Sequence, residues 1–438
     1  GTDTQDTAKL VGNFEISVDE DLKTIGGIYD GTNKVIYNLD GTTTAFSSVS
    51  DPDVKAAIDR LIAEHGNKKL VYAANADELA YVGGTVSVTI NCDDSIGTNI
   101  TNLYGGNNAA GDVLNNNTVE QTNVTHEFLT NSFINNSKTN SAVIVNIKNG
   151  NIATLYGGAN KSSSQYSTNV LIEGGVITTL YGGSNAANIN GTRVEVKGGS
   201  ITTLFAGNNQ SGNITNGTRI VLHGNPSISN LYGGSNLASG NYDSNILVES
   251  GTINQIFGGS NKASLTNTSV SVTGGKVTRI YGGNNSSGSL NSSLINISDS
   301  ASVTDNIYGG GNIAGNAELN TTVNINGGSV KNVFGGGNEG LVGTSNVNIN
   351  GGTINGTIFG SGNGSTSHTN NANVNIKHDI NDVYGGSFAG TAGTATVNII
   401  SGNINGTVFG AGYGEQSKTT STIVNINNNV KDVYGGSY

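Results

Sequence analysis

The side chains able to do acid–base or metal chemistry are few and scattered. Five histidines occur, His65, His126, His223, His368 and His378, and the arginines beyond residue 150 are Arg193, Arg219 and Arg279. A glycosidase needs two carboxyl groups about 5–10 Å apart. Calcium-assisted elimination needs several acidic oxygens beside a basic Arg or Lys. Asp299 with Asp305, and Asp379 with Asp382, are the closest acidic pairs in the later sequence, and neither has an evident basic partner. His368 and His378 lie within one repeat, but a metal would need further ligands. Asp19-Glu20-Asp21 and Asp93-Asp94 are weak candidates for calcium, the one cofactor the sequence leaves open. Cys92 is the sole cysteine, which excludes an internal disulfide and a thiolate metal centre.

What is abundant instead is aromatic and amide surface at a fixed interval. Tyr or Phe followed by Gly-Gly, or a near variant, occurs at Tyr104, Tyr156, Tyr181, Phe205, Tyr232, Phe257, Tyr281, Tyr308, Phe334, Phe359, Tyr384, Phe409 and Tyr434. From Tyr156 to Tyr434 there are 278 residues in 11 steps, a period near 25. The first gap, 52 residues, is twice that, which predicts a coil that has lost its signature. Thr125-His126-Glu127-Phe128 falls there, and a break in a regular array is where function is most readily inserted, so His126 with Glu127 is a candidate site.

Each period has the same internal order. In Val170 to Asn185, alternating apolar residues give a strand with one inward face, Gly174-Gly175 a bend, Ile177 and Leu180 further inward positions, and Gly182-Gly183 a second bend. No room is left for a helix. A coil of this kind buries its apolar face only by stacking on identical neighbours. The expected fold is all-β: a right-handed parallel β-helix of 13–14 coils over residues 83–438, making a rod of about 65 Å.

Stacked coils turn repeated residues into columns. Besides the aromatic column, a second follows four residues later: Asn108, Asn160, Asn185, Asn209, Asn236, Asn261, Asn285, Asn312, Asn338 and Asn363. Such amides satisfy one another along the axis and tolerate turn geometry. A third, Asn324, Asn348, Asn375, Asn398 and Asn425, sits between inward residues and is expected to face solvent. At the second column's position the last three coils carry Phe388, Tyr413 and Tyr438, which either pack on an adjoining segment or form an exposed contact surface. The aromatic preceding Gly-Gly is ambiguous as well. Alternation turns it outward, yet five of the thirteen are Phe. A half-buried structural stack and a sugar-stacking face both fit.

Residues 1–82 lack the repeat. Val54, Ala57, Ile58, Leu61 and Ile62 have helical spacing, with Asp51 or Ser50 as N-cap, Pro52 in the first turn and Gly66 as a stop. Strand-like runs cover 14–18, 25–29, 35–39 and 69–73, with Asp30-Gly31 as a hairpin turn. A small α/β cap closing the solenoid's open end is expected, the alternative being an independent binding module. The chain opens on Gly1 and stops in mid-repeat at Tyr438, as expected of a segment of a longer precursor carrying its signal peptide and anchor elsewhere.

The net charge of −11 is uneven: 19 acids and 9 bases in residues 1–149, against 12 and 11 thereafter. A near-neutral repeat region without a basic stripe argues against nucleic acid and anionic membrane as partners, and no apolar run is long enough to span a bilayer.

The recurring Val-x-Ile-x-Gly-Gly-x-Ile-x-x-Leu-Tyr-Gly-Gly-x-Asn unit resembles repeats in β-helix regions of secreted and cell-surface, often adhesin-like, proteins of Gram-positive bacteria. That resemblance implies a noncatalytic, monomeric element of a longer surface protein that binds glycans or host or environmental proteins. Pectate-lyase-like β-helices share the expected architecture, so a polysaccharide lyase or hydrolase is the alternative, although their acidic metal cluster and base have no counterpart here. Ice binding needs regular outward Thr arrays, and pairs such as Thr178-Thr179 and Thr202-Thr203 do not persist.

Overall fold

The computed structural model describes residues 9–10, 14–18, 20–25, 27–31, 33–38, 42–65, 81–82, 86–91, 99–106, 141–161, 167–316 and 319–438. The chain divides into two compact units, Gly1–Ser200 and Ile201–Tyr438. Both are built on a parallel β-solenoid with about 25 residues per turn, as the repeat predicts.

In the second unit the strands carrying the aromatic residues stack in parallel and in register. Ile253 lies beside Ile228 and Val277, and Phe257 beside Tyr232 and Tyr281. The other strand of each coil joins a second parallel sheet, in which Val270 lies between Ile246 and Ile295. Val, Ile and Leu from both sheets fill the space between them, nearly all fully buried. Alternation thus does what the sequence predicts: one face is dry, the other carries Asn, Thr and Ser. The bends need glycine for two different reasons. Gly275 has φ +76, which L side chains rarely adopt. At Gly258 a Cβ would meet the Gly282 carbonyl oxygen at 2.3 Å, so the close approach of successive coils excludes any side chain.

A column of hydroxyls ties the two sheets together. Thr218, Ser244, Thr268, Ser293, Thr321, Ser345 and Thr422 occupy one register position, and each donates to the carbonyl of the glycine that follows the aromatic residue of its coil. The oxygens are 2.6 Å apart for Thr321 and Gly335. In the first unit Thr168 does the same to Gly182 at 2.5 Å.

The first unit corrects the expectation of a degenerate coil. Asn99–Tyr104 pairs directly with Asn151–Tyr156, setting Tyr104 beside Tyr156, and Val86–Asn91 pairs directly with Ser141–Asn149. No coil intervenes. The extra residues of the double gap lie between neighbouring coils, and residues 107–140, with Asn108, His126 and Glu127, lie outside the described residues. Phe14–Val18 pairs in parallel with Val86–Ile90, so a solenoid strand already stands inside the segment read as cap.

The rest of that segment is a small α/β element. Pro52–His65 forms the expected helix, with Asp51 Oδ1 accepting from the Asp53 and Val54 amides as N-cap. Ala57, Ile58 and Leu61 pack with Ile25, Tyr29 and Ile36, whereas Ile62 is exposed. Gly27–Asp30 and Val35–Asn38 pair as the expected hairpin, and Asp30 accepts from the Asn33 amide and side chain within its turn. A second helix, Glu20–Ile25, replaces the start of one expected strand; the run 69–73 lies outside the described residues.

Candidate functional site

In each unit the aromatic residues form a stack, nearly all of it buried. In the second unit Phe205, Tyr232, Phe257, Tyr281, Tyr308, Phe334, Phe359, Tyr384, Phe409 and Tyr434 follow one another with ring centroids 4.5–5.3 Å apart and nearly parallel planes. In the first, Tyr104, Tyr156 and Tyr181 do the same at 4.7 and 4.9 Å. All but Tyr104 and Tyr434 are buried, as a structural stack requires. Within each unit the turn asparagines form an amide ladder beside it. Asn185 donates to Asn160 in the first unit, and the chain Asn363 to Asn338, Asn312, Asn285, Asn261, Asn236 and Asn209 runs through the second, with N···O distances of 2.8–3.0 Å. Asn285 of this ladder donates to the Tyr232 hydroxyl, and Asn306, on the strand that ends at Tyr308, donates to the Tyr308 hydroxyl. Burial pushes the Tyr308 hydroxyl up to about 12, against a smaller opposing effect of Asn306.

Where the ladder ends, a second ring column begins. Phe388, Tyr413 and Tyr438 stack on each other at 5.2 Å with nearly parallel planes. Each also meets a buried ring edge-on: Phe388 on Phe359, Tyr413 on Tyr384 and Tyr438 on Phe409, at 5.6–5.7 Å and 79–89°. They remain 42%, 37% and 72% exposed. Packing and exposure therefore coexist. One side of the column is anchored and the other is presented to solvent.

Of the acidic candidates in the later coils, Asp305, Asp379 and Asp382 have partners in the neighbouring coils. Asp305 does have basic partners: both Arg279 Nε and Nη2 donate to its Oδ2, and Lys331 Nζ lies 4.0 Å from Oδ1. Stacking brings together residues 26 apart, which one repeat read alone does not reveal. Asp379 and Asp382 instead accept backbone amides of the following coil, from Asn403 and Thr407, each at 2.7 Å. The Asn403 amide holds the Asp379 carboxyl below its ordinary range. His368 is engaged on both ring nitrogens, by Thr391 at 2.7 Å and Asn370 at 2.8 Å. Asp21, one of the calcium candidates, takes a fork of bonds from Arg60 across the two helices. Asp93 and Asp94 lie outside the described residues, among which no three of His, Cys, Asp and Glu come together to hold a metal ion.

Two features escaped sequence reasoning. The hydroxyl column was signalled by Ser or Thr at one register position of coil after coil. The burial of Arg193 and Glu195, on the outward side of Thr192–Val196, had no sequence signal, because the alternation there looks like that of any other coil. Comparison of the chain with protein-family models, with curated proteins and with solved structures finds no match.

Proposed function

We infer that this chain is a noncatalytic binding and presenting element of a secreted or cell-surface protein of a Gram-positive bacterium, an adhesin or stalk whose ligand is a glycan or a host or environmental protein. The exposed column Phe388, Tyr413 and Tyr438 carries this reading. Asparagine serves the same turn in the preceding coils, so the fold does not require rings there. Three successive aromatics, stacked on one side yet exposed on the other, leave apolar area in water, and Tyr is enriched at binding hot spots. Within the stack the facing ring surfaces cover one another. The column therefore presents ring edges and two phenolic hydroxyls, a surface suited to a ligand part apolar and part polar.

The test is retention on glycan and matrix-protein arrays, with and without calcium, comparing the full chain with a Phe388→Ala, Tyr413→Ala, Tyr438→Ala triple variant. Loss of retention by at least tenfold in a variant that still folds is the expected result. Retention on no array, or calcium-dependent depolymerisation of a pectin or glycosaminoglycan panel, would sink the reading, the latter in favour of a lyase or hydrolase.

A further inference from the structure

The sheet facing the aromatic strands has an outer surface of unusual chemistry in the second unit. Over six strands, from Ser292–Ile297 to Lys418–Ile426, the outward residues stand in register. Asn296, Asn324, Asn348, Asn375, Asn398 and Asn425 form one column, each Nδ2 donating to the Oδ1 of the preceding coil at 2.8–2.9 Å. Two parallel columns beside it carry Thr, Ser and Asn, except for Leu294 and Ile423, and none of the eighteen positions holds a charge. Five coil steps and a four-residue width make the surface about 24 Å by about 13 Å.

The amide arithmetic defines what this surface can take. A side-chain amide has two N–H groups and two acceptor lone pairs. Each interior Asn of the ladder uses one donor and one acceptor on its neighbours, so one of each is left per rung, repeating about every 4.8 Å. The ladder also fixes the amides in direction, so little side-chain freedom remains to be lost on binding. A polyanion finds no cation here. A protein partner finds hardly any pocket for an aromatic or Arg anchor. An extended neutral polysaccharide, by contrast, presents uncharged hydroxyls, each both donor and acceptor, once per sugar along a straight chain.

We propose that this asparagine-threonine surface binds an extended, uncharged polysaccharide along the coil-stacking direction. The proposal rests on the reading of the chain as a binding element and places a glycan on a surface separate from the aromatic column. The test is retention of the full chain on microcrystalline cellulose and on chitin, with immobilised hyaluronan as the charged comparison. A Thr322→Lys, Thr396→Lys variant puts two charges on the surface, three coils apart, and leaves the ladder intact. It should lose retention at least tenfold with an unchanged melting transition. A Thr322→Asn, Thr396→Asn variant and the aromatic triple variant should both be retained like the parent. Absence of retention on either neutral polymer overturns the proposal, as does undiminished retention of the lysine variant or retention on hyaluronan alone. Loss of retention through the aromatic triple variant alone overturns it too while upholding the aromatic column, and inhibition of ice growth without polysaccharide retention would replace it with a different ligand.

Discussion

The hydroxyl column makes a prediction with opposite signs at two places. Thr321 is fully buried and its Oγ1 lies 2.6 Å from the Gly335 carbonyl oxygen, joining the two sheets within one coil. Thr321→Val keeps the shape and removes the donor, leaving that carbonyl without it. The loss should be about 1–3 kcal/mol, the usual range for a buried polar group left without its partner. The same column carries Ala372 and Ala395, where no hydroxyl exists, and Gly385 and Gly410 stand where Gly335 does in its own coil. Ala372→Ser should therefore supply a missing tie and stabilise by about 0.5–1.5 kcal/mol. Solenoids open locally, so the sensitive assay is amide hydrogen exchange in the coil concerned rather than a global melt. Since about 1.4 kcal/mol is tenfold, Thr321→Val should speed exchange in Asn320–Ile325 and Ser329–Phe334 about fivefold to somewhat over a hundredfold, and Ala372→Ser should slow it in its own coil. If the valine variant exchanges like the parent while the serine variant exchanges faster, the hydroxyls are merely tolerated, and the tie between sheets is apolar packing alone.

Two further outcomes follow from the ring stack. Phe257 is buried between Tyr232 and Tyr281, with centroids at 4.6 and 4.8 Å, so Phe257→Ala should cost about 3–5 kcal/mol, read by urea unfolding, and Phe257→Leu clearly less. Burial, the largest cause in both, raises the Tyr308 and Tyr384 hydroxyls from 10.0 to about 12. Unfolded tyrosines ionise near pH 10 while these stay neutral in the folded chain. Stability should hold below pH 10 and fall as pH rises from 10 to 12, measured by melting alongside tyrosinate absorbance.

The period, the bends and the two ladders were legible because stacking repeats one residue type at one interval, and the interval survives in the sequence. What stayed hidden depends on neighbours across coils or on segments without a repeat. The 52-residue gap before Tyr156 has the length of two periods whether a coil has decayed or a loop has been inserted, and only the pairing of Tyr104 with Tyr156 distinguishes them. Asp305 looked isolated because Arg279 lies in the coil before it. The direction of the buried rings was undecided, since alternation pointed outward and the five Phe inward. Strand register resolves it. Each ring stands at the end of its strand, where the chain turns into the glycine bend, and stacks on a ring of a neighbouring coil in its own unit. Of the candidate site, the aromatic substitution at Phe388, Tyr413 and Tyr438 was visible as a broken rule in the asparagine column, whereas the uncharged surface over Asn296–Asn425 needed the register of six strands before it could be seen whole.

A parallel stack imposes a selection rule on its own surface. Whatever side chain occupies a position meets its counterpart about 4.8 Å away, so the position must hold a group that tolerates or prefers its own kind. Rings do so by stacking, amides by donating one way and accepting the other, hydroxyls by bonding inward to glycine carbonyls. Like charges do not. Arg279, Asp305 and Lys331 show the one charged arrangement the rule permits, alternation of sign from coil to coil. The scarcity of charge is thus a consequence of the fold. The two surfaces differ in this respect. An asparagine column is favoured by stacking whether or not anything binds it, so its function must be shown by placing a charge where the fold tolerates one and measuring retention. The exposed rings are a departure from an asparagine column that already satisfied the turn, and that exchange is the observation on which the proposed binding role rests. The ligand proposed for the solvent-facing side of Phe388, Tyr413 and Tyr438 is what the triple alanine variant tests.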